Sequence, residues 1–145
     1  MIVENRRARF EYHILESFEA GLVLTGTEVK SMRAGGVSLS EAYARIRDGE
    51  AWLLGMHIPP YKQGSFSNSE PNRPRKLLLH KEEIARLQSR VGEKGLTIVP
   101  LRLYFTRGIA KVQLGVARGK KLWDKRADAA KRDVEREIAA HVRRS

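Results

Sequence analysis

The chain has 145 residues, with 28 Lys and Arg against 17 Asp and Glu for a formal charge of +11, 41% hydrophobic residues and no cysteine. That length and apolar content suit one domain with its own core, and the charge points to a polyanion, nucleic acid before an anionic membrane surface. The lack of cysteine excludes disulfides and thiol chemistry and suits a reducing cytosol; no apolar run approaches the ~20 residues of a membrane span, and Met1 to Arg7 lacks the apolar centre of a secretory leader.

In chain order, Arg9 to Ile14 alternates, with Phe10, Tyr12 and Ile14 on one side, and predicts a half-buried strand. Leu22 to Thr25 predicts a second short strand after a break at Gly21. Val29 and Met32, three apart before Gly35-Gly36, predict a short helix over Thr27 to Arg33. Ala42–Arg47 and Ala51–Leu54 flank Asp48-Gly49, the strongest short hairpin signal a sequence offers. Pro59 to Pro74 is rich in Pro, Ser, Asn and Gly and reads as a long exposed loop. Lys76 to Leu79 reads as a buried strand, followed by an amphipathic helix from His80 with Ile84, Leu87 and Val91 on one side. Thr97–Phe105 and Ile109–Val116 predict a second hairpin around Thr106-Arg107-Gly108, with Pro100 at an edge or a bulge. Six or seven short strands with regular turns predict a mainly β fold, a closed or nearly closed small barrel with flanking helices.

The segment from Ala117 to Ser145 differs. It holds ten basic and five acidic residues, so one fifth of the length carries nearly half of the excess charge. Trp123, Ala127, Ala130, Val134, Ile138 and Val142 fall at helical spacing, but the stripe is narrow and two of its six positions are alanine. Burial at ~25 cal/mol per Å2 gives such a stripe little to set against ~1–2 kcal/mol of backbone ordering per residue. The expectation is a frayed tail that becomes helical on a polyanion. The division is therefore residues 1–118 as the barrel and 119–145 as a basic tail. Trp123 has two readings: an apolar anchor on the barrel, or, between Lys121 and Lys125, a ring that stacks on a base while the lysines meet phosphates. The charged surroundings favour stacking.

Motifs for other chemistry fail on their residues. His13, His57, His80 and His141 are scattered without metal-ligand spacing, so no metal is expected. Gly21 and Gly26 have P-loop spacing, but no Lys follows the second glycine. No Gly-x-Ser-x-Gly elbow occurs, and Glu82-Glu83 reads as a solvated helix face. Neither catalytic residues nor a cofactor are expected.

Six segments in register then resemble the SmpB family. They are Asn5 to Tyr12, Phe18 to Leu22, Gly26 to Arg33, Arg75 to Lys81, Gly95 to Leu101, and Gly119-Lys120-Lys121 through Asp124-Lys125-Arg126. The resemblance spans essentially the whole chain. It implies an OB-like β-barrel that binds the tRNA-like domain of tmRNA, and a tail that enters the ribosome's decoding centre and mRNA channel during trans-translation. It also implies a cytoplasmic monomer, linked through tmRNA to elongation factor Tu and alanyl-tRNA synthetase, with no membrane role and no catalysis of its own. Glu19, Leu78, His80 and Lys111 match family residues on the RNA side, and Lys120 and Lys121 fall in the glycine-lysine motif. Gly119 matches the hinge before the tail. Trp123, Asp124, Lys125 and Arg126 match its ribosome-facing signature, with Lys131 and Arg132 continuing the basic run.

The residues' own chemistry agrees in part with these roles. Lys111 and His80 are ordinary phosphate or base partners, and Gly119 could supply hinge dihedrals. Glu19 beside RNA reads as a positioning group, and Leu78, inside an apolar run, reads as core. Trp123 stands where the family more often has Tyr or His. Two further functions compete with ribosome rescue: a general OB-type RNA-binding or ribosomal protein, and an RNA-processing enzyme.

Overall fold

Two tight turns set the frame. At Asp48-Gly49 and Arg107-Gly108 the backbone takes φ values of 52° and 75°, then 53° and 78°, the left-handed pairs that match the twist of flanking strands. They join β3 (Tyr43–Arg47) to β4 (Glu50–Leu54) and β6 (Leu96–Thr106) to β7 (Ile109–Gly119). The structure, a computed structural model, describes residues 2–61, 70–93 and 95–120. The other elements are β1 (Val3–Glu4), α1 (Arg6–Glu11), β2 (Tyr12–Leu22), α2 (Gly26–Ala34), β5 (Arg75–Leu78) and α3 (Lys81–Val91).

All strand pairs are antiparallel, and six strands close on themselves in the order β6-β3-β4-β5-β2-β7 and back to β6. β1 adds to the outer part of β6, beyond its pairing with β3. The expected mainly β, OB-like ring with flanking helices is therefore present. Its inside is filled by Leu53, Leu77, Ile98, Leu103, Val112, Leu114 and Val116, each at most 2% exposed. Leu87 of α3 and Met32 of α2 join this core. Each such side chain contributes ~1.5–3 kcal/mol by leaving water. Of the stripe expected on α3, Leu87 is buried while Ile84 and Val91 are half-buried.

Several expectations need correction. The strand expected over Arg9 to Ile14 is instead the end of α1 followed by the start of β2. Buried Asn5 starts that helix: its Oδ1 accepts from the Ala8 N–H at 3.2 Å while its amide donates to the carbonyls of Leu39 and Pro100. Gly21 does not break a strand, and no separate strand covers Leu22 to Thr25; β2 runs unbroken through Gly21 to Leu22. β5 is not buried throughout, since Arg75 and Leu77 point inward while Leu78 is 54% exposed. Pro100 does lie at a bulge, between Pro100 and Arg102.

That bulge changes which side of the sheet each parity faces. Before it, Leu96 and Ile98 point inward; after it, Leu103 does. β2 has a matching irregularity between Ile14 and Glu16. The outer side at this end, with Tyr12, Ile14, Val99, Leu101 and Ala117, is covered by Ala8 of α1. The outer side beyond the bulges is left open by α1.

One charged network fastens α2 to the ring. Arg75 is fully buried, donating to Glu28 Oε2 at 2.8 Å, to the Met56 carbonyl at 2.7 Å and to the Pro71 carbonyl at 3.0 Å. Arg73 also donates to both Glu28 oxygens. Burial works against the Glu28 charge, but hydrogen bonds from Arg73, the Thr25 N–H and Arg75 outweigh it and hold the carboxyl below its ordinary value.

Candidate nucleic-acid interface

The open outer side carries two rows of side chains, two residues apart along each strand. Leu78 of β5 pairs with Gly21 of β2, Gly21 with Lys111 of β7, and Lys111 with Tyr104 of β6. Directly opposed residues share a face, so one row crosses four strands, ~14 Å at the usual strand spacing. The second row runs Glu19, Gln113, Arg102 and Glu4 across β2, β7, β6 and β1. Their neighbours Ala20, Val112 and Leu103 are buried in the core, as strand alternation requires.

Within these rows the polar groups converge. Glu19 accepts a hydrogen bond from the Tyr104 hydroxyl and lies 4.0 Å from Lys111 Nζ. Partial burial and donation to Glu19 raise the Tyr104 hydroxyl to about 12. The Arg102 guanidinium stands 5.2 Å from the centre of the Tyr104 ring, within cation–π range. Gly21 leaves a dip between Leu78 and Lys111; a Cβ there would stand 3.2 Å from Leu78 Cβ. The patch offers cations for phosphates, an aromatic ring and an exposed leucine, the mixture that binds a nucleic-acid backbone with apolar contact to sugars or bases.

The structure thus brings Glu19, Leu78 and Lys111 together, although they come from three separate stretches of sequence. His80 is exposed two residues after Leu78, at the start of α3, where its backbone N–H donates to Glu83 Oε1 at 3.0 Å. Gly119 is the last paired residue of β7, opposite Tyr12, and nothing crowds its Cβ position. Its φ lies outside the positive region, so this conformation makes no demand for glycine. Lys120 is tied to the end of α1: its N–H donates to the Glu11 carbonyl at 2.7 Å and its Nζ to the Arg9 carbonyl at 3.2 Å, a favourable place for a cation. Lys121, Trp123, Asp124, Lys125, Arg126, Lys131 and Arg132 lie outside the described residues.

Sequence reading missed Arg102, Tyr104 and Gln113. The alternation Arg102-x-Tyr104 was visible, but its outward facing depends on the Pro100 bulge. A second surface also escaped it, a groove of about 410 Å3 lined by Arg45, Arg47, Asp48, Glu50, Trp52, Leu54 and Pro74. Among the described residues no cluster of three or more His, Asp or Glu could hold a metal ion, and no helix is long and apolar enough to cross a membrane.

Comparison with known proteins agrees along the whole chain. The family model described as SmpB protein matches residues 2–144. The SsrA-binding protein of Desulforudis audaxviator is 60% identical over 98% of this chain and 93% of its own length. Those of Carboxydothermus hydrogenoformans and Thermobifida fusca are 58% and 56% identical, each over 99% of this chain and over 96% and 89% of their own lengths. A chain from the solved structure "tmRNA-SmpB: a journey to the center of the bacterial ribosome" superposes with a TM-score of 0.71 at 58% identity, covering 83% of this chain and 85% of that one. With the family model matched over residues 2–144 and the ring architecture in agreement over the part the solved structure covers, this chain belongs to the SmpB family.

Proposed function

We propose that the chain is an RNA-binding factor of ribosome rescue by trans-translation, holding the tRNA-like domain of tmRNA on the open outer side of β2, β7, β6 and β5. The observation that carries this reading is the joining of Glu19, Leu78 and Lys111 on one face that α1 leaves uncovered. It is supported by relatives that carry the name SsrA-binding protein and by the likeness to a chain from a structure of tmRNA-SmpB and the ribosome. The face has few base-reading groups and two cations, which suits recognition of RNA shape and backbone over base sequence.

The barrel, residues 1–118, and the tail, 119–145, divide the work. The tail enters the decoding centre and mRNA channel of the small subunit, where phosphates compensate Lys125, Arg126, Lys131 and Arg132. There Trp123 stacks on a base, an interaction worth ~1–3 kcal/mol. The protein works in the cytoplasm as a monomer and catalyses nothing itself. Elongation factor Tu and alanyl-tRNA synthetase are linked to it through tmRNA.

The deciding experiment is a binding titration with three RNAs of equal length: the tRNA-like domain of tmRNA, an elongator tRNA and a plain duplex. Clear preference for the first, lost in Lys111→Ala, is expected. Equal binding to all three would favour a general RNA-binding protein instead.

A further inference from the structure

We propose that Arg102 and Tyr104 form a further RNA-contacting pair on this face, with Arg102 meeting a phosphate and Glu19 acting as the residue that positions Tyr104 beneath it. The inference rests on the reading of this face as RNA-binding and adds the groups that read it.

Three observations support the pairing. Beyond the Pro100–Arg102 bulge, Arg102 and Tyr104 both point outward, next to Gln113 and Lys111 of β7. The Glu4 carboxylate, which stands opposite Arg102 in the register, is turned to Arg9 at 3.1 Å. Among the described residues, the partner the structure gives Arg102 is therefore the Tyr104 ring, at 5.2 Å. A guanidinium lying over a ring keeps its in-plane N–H donors directed outward, the geometry that takes a phosphate in two-point fashion.

Tyr104 in turn is held at its far end. Its hydroxyl donates to Glu19, and Glu19 lies 4.0 Å from Lys111 Nζ. The carboxylate thus fixes the ring under Arg102 and keeps the Lys111 ammonium on the same side. This gives an acid on a phosphate-binding face a physical purpose. Direct contact with phosphate would be repulsive, whereas orientation of two neighbours is not. Glu19 and Arg102 also share one register row through Gln113, so the linkage spans three strands without a mobile loop. Contacts held this way lose less freedom on binding than those of a free arginine.

The test is a set of binding titrations of the full chain with the tRNA-like domain of tmRNA at several salt concentrations. Arg102→Ala should weaken binding about tenfold and flatten the log–log salt slope by ~0.7–0.9, one phosphate's share. Glu19→Ala should weaken binding at least as much, and Glu19→Gln, which can still accept from the Tyr104 hydroxyl, should keep most of it. Tyr104→Phe removes that hydrogen bond alone, and its loss should vanish in the Glu19→Ala background, the mark of coupled residues. Thermal melts confirm that each variant folds, and Arg102→Gln, of similar size, takes the place of Arg102→Ala if the alanine variant does not. An Arg102→Ala protein with unchanged affinity and slope overturns the inference. So do additive losses for Tyr104→Phe and Glu19→Ala. If Lys111→Ala still weakens binding in that case, the face stands and only the Arg102–Tyr104 pair is wrong. If Lys111→Ala is silent as well, the RNA-binding reading of the face fails with it.

Discussion

Arg75 and Glu28 meet out of water: Nη2 stands 2.6 Å from Oε2, with the two side chains 0% and 3% exposed. The pair joins β5 to α2, and the Arg75 donors also reach the Met56 and Pro71 carbonyls. Removing Glu28 strands the Arg75 charge in the interior, whereas removing Arg75 leaves Glu28 with Arg73. Glu28→Ala is expected to cost ~3–5 kcal/mol, read as a lower denaturant midpoint at unchanged slope. A loss below ~1 kcal/mol, the scale of a surface pair, would show that the network relaxes into solvent.

The same pair makes stability fall in acid. The Glu28 carboxyl is lowered from its ordinary 4.5 in the folded protein. Its stabilising contribution is thus complete above the unfolded value and disappears as pH falls through the lower folded value. Thermal midpoints should be insensitive to this group at neutral pH and decline below about pH 4–5. Glu28→Gln should start lower at pH 7 and decline less steeply. Parallel declines in both proteins would assign the acid sensitivity to other carboxylates.

Leu77 and Leu78 should separate stability from binding. Leu77 is 2% exposed and Leu78 54%. Leu77→Ala should cost ~2–5 kcal/mol of folding stability. Leu78→Ala should change stability by no more than ~0.5 kcal/mol and still weaken RNA binding. A Leu78→Ala protein that melts early would return this residue to the core.

A cut after Lys120 tests the proposed division while leaving β7 and its ties to α1 whole. Gly119 pairs with Tyr12, and Lys120 hydrogen-bonds to α1 through both its backbone and its ammonium. A chain ending at Lys120 should melt like the full chain and bind the tRNA-like domain within about threefold, ~0.65 kcal/mol at 25 °C. Tagging of proteins on stalled ribosomes should disappear. Loss of most RNA affinity in that truncation would make the tail the principal RNA-binding element.

The sequence made the turns and the hairpins visible because their signals are local. Asp48-Gly49 and Arg107-Gly108 need left-handed backbone, and Pro100 withholds a ladder donor, so each marks its own position. α1 was hidden because six residues span under two turns and show no period, and its start depends on Asn5 reaching Leu39 and Pro100 far along the chain. Three consecutive leucines do not reveal which one faces out; the register of β5 with β2 decides that. What Glu19 positions was hidden because its hydroxyl donor, Tyr104, lies 85 positions away. Of the residues that resemblance marked, Glu19, Leu78 and Lys111 share one face, while the groups that hold them in place needed the fold.

Closure of the ring has a temporal consequence. β2 and β7 pair from Tyr12 with Gly119 to Gly21 with Lys111, so the seam joins the first long strand to the last. Such distant pairings form late, because the chain entropy of a long loop is lost before any contact rewards it. Glu19 belongs to one side of the seam and Lys111 to the other, so neither half-made chain displays the surface they share. A molecule of this protein still under synthesis therefore lacks the face proposed to hold RNA until its own seventh strand has emerged and docked.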